Sequence, residues 1–194
     1  LAIGSVDSIP ERYLAELAAV AKRVEPALVS DHLCWGRHRG QYVHDLLPLP
    51  FTEEAVGVAA AKIRQVQDRL GRQILVENVS TYLRFAGSTL KEWEFVSAVA
   101  EEAGCALLLD INNVFINARN HGFAAQDYLD GLDPKRVRQY HVAGHQDHDD
   151  TILDTHDHPV TDAVWELMRS TMRTIGPRPT ILERDDNIPP LAEV

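Results

Sequence analysis

The chain has 194 residues, 45% hydrophobic and 25% charged, the composition of an ordinary globular protein with apolar material for one sizeable core. Its net charge of −10 comes without any long Lys/Arg run, which disfavours nucleic acid as a main partner, and no apolar run approaches the length of a membrane span. An acidic total is also what a site rich in carboxylate ligands leaves when counted without its cations.

The opening LAIGSVDS reads as the tail of a strand and its loop, so an N-terminal portion is expected to precede it. Pro10–Val24 carries Leu14, Leu17, Ala18 and Ala21 at helical spacing, with Ser8 as the expected cap. Ala27–Leu33 is a short apolar run ending in Asp31-His32. Thr52–Leu70 is a second amphipathic helix closed by Gly71. Gln73–Val79 reads as a strand, and Thr89–Glu102 as a helix opened by a capping box of Thr89 and Glu92. Cys105–Ile111 is nearly all apolar, as in a parallel strand buried on both faces. A short helix over Ala125–Leu132, a strand over Val137–Val142, a helix over Asp162–Ile175 and a strand over Pro179–Leu182 complete the chain.

Strands alternating with helices call for a parallel sheet covered by helices, an α/β fold. No linker divides the chain, so residues 1–194 are expected to form a single domain. An open doubly wound sheet and a closed barrel both satisfy the alternation. No GxGxxG or P-loop follows a strand, whereas polar chemistry recurs at each strand's C-terminal end: Asp31-His32, Glu77-Asn78, Asp110, His141 and Glu183. In a barrel these ends converge on one mouth, which favours a (β/α)8 barrel. Five strands fall about three short of one, and either a longer chain or a homodimer would complete it. The two cysteines, Cys34 and Cys105, lack CxxC spacing and read as reduced, which fits a cytoplasmic location.

A carboxylate at the end of a branched-aliphatic strand is costly to ionise without a partner. One such residue is readily satisfied by an arginine or a cap. Several converging on one mouth repel unless cations lie between them. The segment HVAGHQDHDDTILDTHDHP adds His141, His145, His148, His156 and His158. In an extended Asp154-Thr155-His156, the Asp and His face the same way and can share an ion. His145 fits three roles equally well: a ligand, a hydrogen-bond partner of a ligand, or a proton shuttle. Trp35 and Arg37 at the mouth read as a packed aromatic and an exposed arginine ahead of substrate contacts, while His44-Asp45 fits a loop-fixing hydrogen bond and substrate contact equally well.

The order Glu77, Asp110, His141, Asp154-x-His156, Glu183 resembles the xylose-isomerase-like barrel superfamily, which includes the trinuclear-zinc endonuclease IV enzymes. Those enzymes carry a His three residues after the Asp, where this chain has Asn113. The phrases SDHLCW, HDLLPLPFTEEA, ILVENVSTYLRF, LLLDINNVFINARNHGF, YHVAGH, DTHDHPV and PTILERD resemble more closely the multinuclear non-haem iron oxidases of methanobactin and related ribosomal-peptide biosynthesis. That resemblance covers the whole chain. It implies two or three irons, O₂ as oxidant, cysteines of a ribosomally made precursor peptide as substrate, and a small partner protein that presents the peptide. It also implies His32, Glu77, Asp110, Asn113, His141, Asp154, His156 and Glu183 as the metal shell and Asp185 as an acid–base or substrate-orienting group, with His145 as a second catalytic candidate. The family carries about three further barrel strands upstream, one ending in a His ligand, and this sequence does not contain them. The competing readings are a zinc or manganese hydrolase or sugar isomerase/epimerase on the same barrel, and an inactive binding module.

Overall fold

A computed structural model describes residues 1–193 of the chain. In chain order the principal elements are α1 (Glu11–Val24), β1 (Ser30–His32), β2 (Trp35–His38), β3 (Gln41–Leu47), α2 (Glu53–Leu70), β4 (Leu75–Glu77), α3 (Glu92–Ala103) and β5 (Ala106–Asp110). They continue with α4 (Ile111–His121), α5 (Ala125–Asp130), β6 (Val137–Ala143), β7 (Gln146–Asp147), β8 (Ile152–Leu153), α6 (Asp162–Ile175) and β9 (Thr180–Glu183).

Strands β1, β4, β5, β6 and β9 form one sheet, all parallel and neighbouring in that order. A doubly wound sheet reverses its order at a switch point. This one does not, so it is an arc of a barrel wall. Ile74, Val76, Leu107, Leu109, Tyr140 and Val142 join the main apolar core with Ile63 and Val66 of α2, Phe95 and Val99 of α3, and Val164 and Met168 of α6. On the opposite face Leu75, Ala106 and Leu108 form a small separate cluster. Successive strand residues therefore face helices and barrel interior in turn.

The helix ends explain where sequence expectations held. Thr52 Oγ1 accepts from the Ala55 N–H and caps α2, which Gly71 closes as expected. Two caps differ. Helix α1 starts after Pro10 with no side-chain cap, so Ser8 plays no such part. Helix α3 starts at Glu92, where Lys91 is the cap residue and Glu94 reaches back to its N–H at 2.8 Å. Glu92 is unavailable for a box with Thr89 because its carboxylate turns inward to accept from Asn117 Nδ2 at 2.9 Å.

Three elements were not anticipated. Helix α4 begins without a loop because Asp110 ends β5 and also caps α4, its Oδ1 accepting from the Asn113 N–H at 2.8 Å. Gly122, at φ 71°, closes it. The hairpin of β2 and β3 turns on Arg39 (φ 49°) and Gly40 (φ 77°), both left-handed as in a type I′ turn. A second short hairpin, β7–β8, lies within the His/Asp-rich segment. Cys34 and Cys105 are free and buried, and burial is the main cause that pushes each thiol up to about 12. No helix among the described residues is long and apolar enough to cross a membrane.

Candidate metal centre

Register gathers the site. His32 lies beside Glu77, Asp110 beside His141, and Glu183 beside Ala143, all at the C-terminal ends of their strands. Beyond β6 the chain must fold back over the mouth, and Gly144 allows it. A Cβ there would sit 1.7 Å from the carbonyl oxygen of His158. The Gly144 carbonyl accepts from the His156 N–H at 3.0 Å, and the His156 carbonyl from the Asp185 N–H at 2.9 Å. His156 is held at φ 51°, a conformation that costs a non-glycine residue roughly 1–2 kcal/mol. These bonds bring the segment carrying Asp154 and His156 against the end of β9.

Two groups of donor atoms result. Glu77, Asp110 and His141 are buried together, and His156, Glu183 and Asp185 form a more exposed set. His141 Nδ1 lies 2.9 Å from Glu77 Oε1 and 2.8 Å from Asp110 Oδ2, with His32 Nε2 3.4 Å from Glu77 Oε2. In the second set, His156 Nδ1 is 3.2 Å from Asp185 Oδ2 and its Nε2 is 2.9 Å from Asp154 Oδ1. Glu183 links the sets: its Oε2 is 2.8 Å from His141 Nε2 and 3.5 Å from His156 Nδ1.

Only part of this proximity is hydrogen bonding. His141 Nδ1 bonds Glu77 Oε1 and His156 Nδ1 bonds Asp185 Oδ2. Asp110 Oδ2, His141 Nε2 and His156 Nε2 are buried and close to opposite partners but make no directed hydrogen bond, and the buried Asn113 Oδ1 has no partner among the described residues. Leaving such atoms unmet costs about 1–3 kcal/mol each. Donor atoms that crowd together with several left unmet form a group that could hold a metal ion.

The electrostatics point the same way. Burial alone would lower the pKa of His141, but the carboxylates of Asp110 and Glu77 beside it reverse this and hold it up at about 11. His156 behaves likewise: burial opposes protonation, and Asp154, Glu183 and Asp110 hold it up at about 9. Burial lifts Asp110 to about 6 even though His141 opposes the rise. The surrounding carboxylates thus favour positive charge at both imidazoles, a preference that a bound cation would also satisfy. With imidazole, carboxylate and amide donors and no thiolate, the set suits iron, manganese or zinc.

Every metal-shell residue expected from sequence lies at this mouth. Asn113 donates its Nδ2 to the Asn78 carbonyl at 3.0 Å, leaving Oδ1 unmet. His145 is buried, its Nδ1 2.7 Å from Asn112 Oδ1 and its ring stacked on Phe115 at 5.2 Å. Burial is the largest cause lowering its pKa. Sequence reasoning passed over Asn112, which also donates to Asp154 Oδ1 at 2.8 Å, and Tyr82, whose hydroxyl accepts from the Asp154 N–H. It quoted Asn78 only as a neighbour of Glu77, yet this side chain bonds both N–H and C=O of Asp110. The asparagines of DINNVFIN are visible in the sequence, but nothing there names their partners.

An in-order parallel sheet with a carboxylate–histidine cluster at its mouth defines an α/β barrel protein whose mouth could hold a metal. The chain belongs to the family described as RiPP precursor modification enzyme MbnB/TglH/ChrH, which it matches over residues 1–194. A UPF0276 protein of Anaeromyxobacter sp. (strain Fw109-5) is 52% identical over 194 residues, all of this chain and 69% of that relative. A UPF0276 protein of Caulobacter vibrioides (strain NA1000 / CB15N) is 45% identical over the same shares. The fold is also that of a xylose isomerase domain containing protein from Salmonella typhimurium LT2, at a TM-score of 0.58 and 16% identity, covering 93% of this chain and 63% of that one.

Proposed function

We propose that this chain carries the metal-binding core of an iron-dependent oxidase that acts, with O₂, on cysteine in a ribosomally made precursor peptide. The observation that carries the metal reading is the linked pair of donor sets, joined through Glu183, with buried ligand-type atoms left unmet. His32, Glu77, Asp110, Asn113, His141, Asp154, His156 and Glu183 would hold the metal. Bound iron would supply the redox chemistry and the positions at which O₂ and a cysteine sulfur meet.

The protein's own part is to hold and admit. Asp110 and His141 are almost fully buried and define the floor. A cavity of about 470 Å³ along the inner face of the sheet adjoins them, lined by His32, Glu77, Leu108, His141, Ile181, Glu183 and Asp185. A cysteine entering it must lose its thiol proton as it is oxidised. Asp185, with its side chain 59% exposed, would accept it. The same position, 3.2 Å from His156, would also let Asp185 act as a ligand, so its role is decided by metal content. The peptide would be presented by a small partner protein, as the resemblance implies.

The test uses the protein expressed and purified without oxygen. Iron by elemental analysis, an iron Mössbauer spectrum, and O₂ uptake that requires a cysteine in the peptide support the reading. Zinc alone, or equal O₂ uptake with a Cys→Ser peptide, overturns it. Asp185→Asn should keep the iron and lose most turnover.

A further inference from the structure

One amide joins the two halves of the mouth. Asn112 lies in the first turn of α4 and is wholly buried. Its Nδ2 is 2.8 Å from Asp154 Oδ1 and its Oδ1 is 2.7 Å from His145 Nδ1. Buried polar atoms need partners, and the partners here dictate the roles. The Asp154 carboxylate can only accept, so the Asn112 NH₂ must face it. The amide oxygen must then face His145, and an oxygen of this kind also only accepts. His145 Nδ1 therefore carries the hydrogen, and Nε2 carries the lone pair.

We propose that Asn112 is a positioning residue that locks neutral His145 in its Nδ1–H tautomer while its other end aims Asp154. Free neutral histidine prefers the opposite tautomer, with the hydrogen on Nε2, so the protein holds the less common form. Phe115 helps: its ring stacks on the imidazole at an interplanar angle of 22° and opposes a flip of the ring. Burial favours the neutral ring, in which the tautomer matters.

The consequence for chemistry rests on the oxidase reading above. In the resting site Nε2 of His145 takes a proton or a metal, and it does not donate. A proton arriving at Nε2 leaves the Nδ1–H bond to Asn112 unchanged, so the ring can charge without moving. The side chain of Asn112 cannot pass a proton on, so Asp154 is held but not titrated through it. Of the three roles open to His145 from sequence, the tautomer keeps ligand and proton acceptor and removes that of resting donor through Nε2.

The tautomer can be read without any turnover. Two-bond ¹H–¹⁵N spectra of the ¹⁵N-labelled, metal-free protein report which imidazole nitrogen is protonated, with His145→Gln assigning the signal. The expected pattern is a pyrrole-type Nδ1 and a pyridine-type Nε2, and the reverse pattern overturns the proposal. Asn112→Ala should let His145 move to the Nε2–H form or a mixture, and an unchanged pattern in that variant counts against the lock. Asn112→Asp should keep the tautomer, because an oxygen still accepts from Nδ1–H. It should weaken metal binding at least about tenfold by setting a carboxylate against Asp154. Full metal affinity in Asn112→Asp would contradict the second half of the proposal. If the alanine variant does not fold, the wild-type spectrum and the aspartate variant decide. Absence of iron or O₂ chemistry would sink the oxidase reading and leave the spectra unaffected.

Discussion

Two buried acids in this molecule solve the same problem in opposite ways. Glu92, at the start of α3, is pushed up to about 8 by burial, opposed by Asn117, Tyr128 and the more distant charge of Arg84; Asn117 donates to it and in turn bonds Thr81 and the Val79 carbonyl. Asp110, at the end of β5, also rises through burial, but it shares its space with Glu77, His141 and several unmet atoms. Burial favours the protonated form of Glu92, with Asn117 donating to it. The Asp110 group instead has the donors that could hold a cation. Burial of a single carboxylate is therefore a weaker pointer to a metal than convergence of several.

That contrast can be broken most directly by substitution. Glu183→Gln and Asp110→Asn should each lower metal content more than tenfold, while Glu92→Gln should leave it unchanged, because an amide can replace a neutral acid. Elemental analysis of the three variants checks this. Equal losses in all three would make the two acids equivalent and dissolve the distinction.

The helix-facing side of the same strands should respond in stability and not in metal content. Leu107 of β5 is 2% exposed and belongs to the main core. Leu107→Ala should cost about 2–5 kcal/mol in denaturant unfolding while the metal-to-protein ratio of the folded fraction stays the same.

How much of this was legible in the sequence follows from which residues do two jobs. Strand ends with one purpose, such as Glu77 and Glu183, announced themselves through a carboxylate after aliphatics. Asp110 ends a strand, faces the site and caps a helix, and the first two roles hid the third, so α4 was passed over. The β2–β3 hairpin escaped because most of its residues are exposed, which removes the alternation that a half-buried strand displays. The Thr89–Glu92 box failed for a long-range reason: Asn117 of α4 claims the Glu92 carboxylate. The candidate site was legible as donor residues. The amides that orient them, Asn78 and Asn112, were not, because an asparagine inside an apolar run gives no sign of its partner.

A smaller effect sharpens the comparison through pH. Glu92 rises from its usual 4.5 to about 8 on folding, so the folded state binds more protons than the unfolded one between those values. Its contribution to stability is fully present below about pH 4.5 and is lost as pH rises through about 8. The slope is at most about 1.4 kcal/mol per pH unit. Urea unfolding of metal-free protein across this range should show that decline, and Glu92→Gln should flatten it. A variant that keeps the wild-type slope would place the proton elsewhere.

The central claim is that the mouth of the sheet is a multinuclear iron centre. Protein purified without oxygen should contain more than one iron per chain, with a Mössbauer spectrum of oxygen- and nitrogen-ligated high-spin iron that collapses in Glu183→Gln. A protein that takes up no iron under those conditions, or whose iron is indifferent to Glu183, would contradict the account.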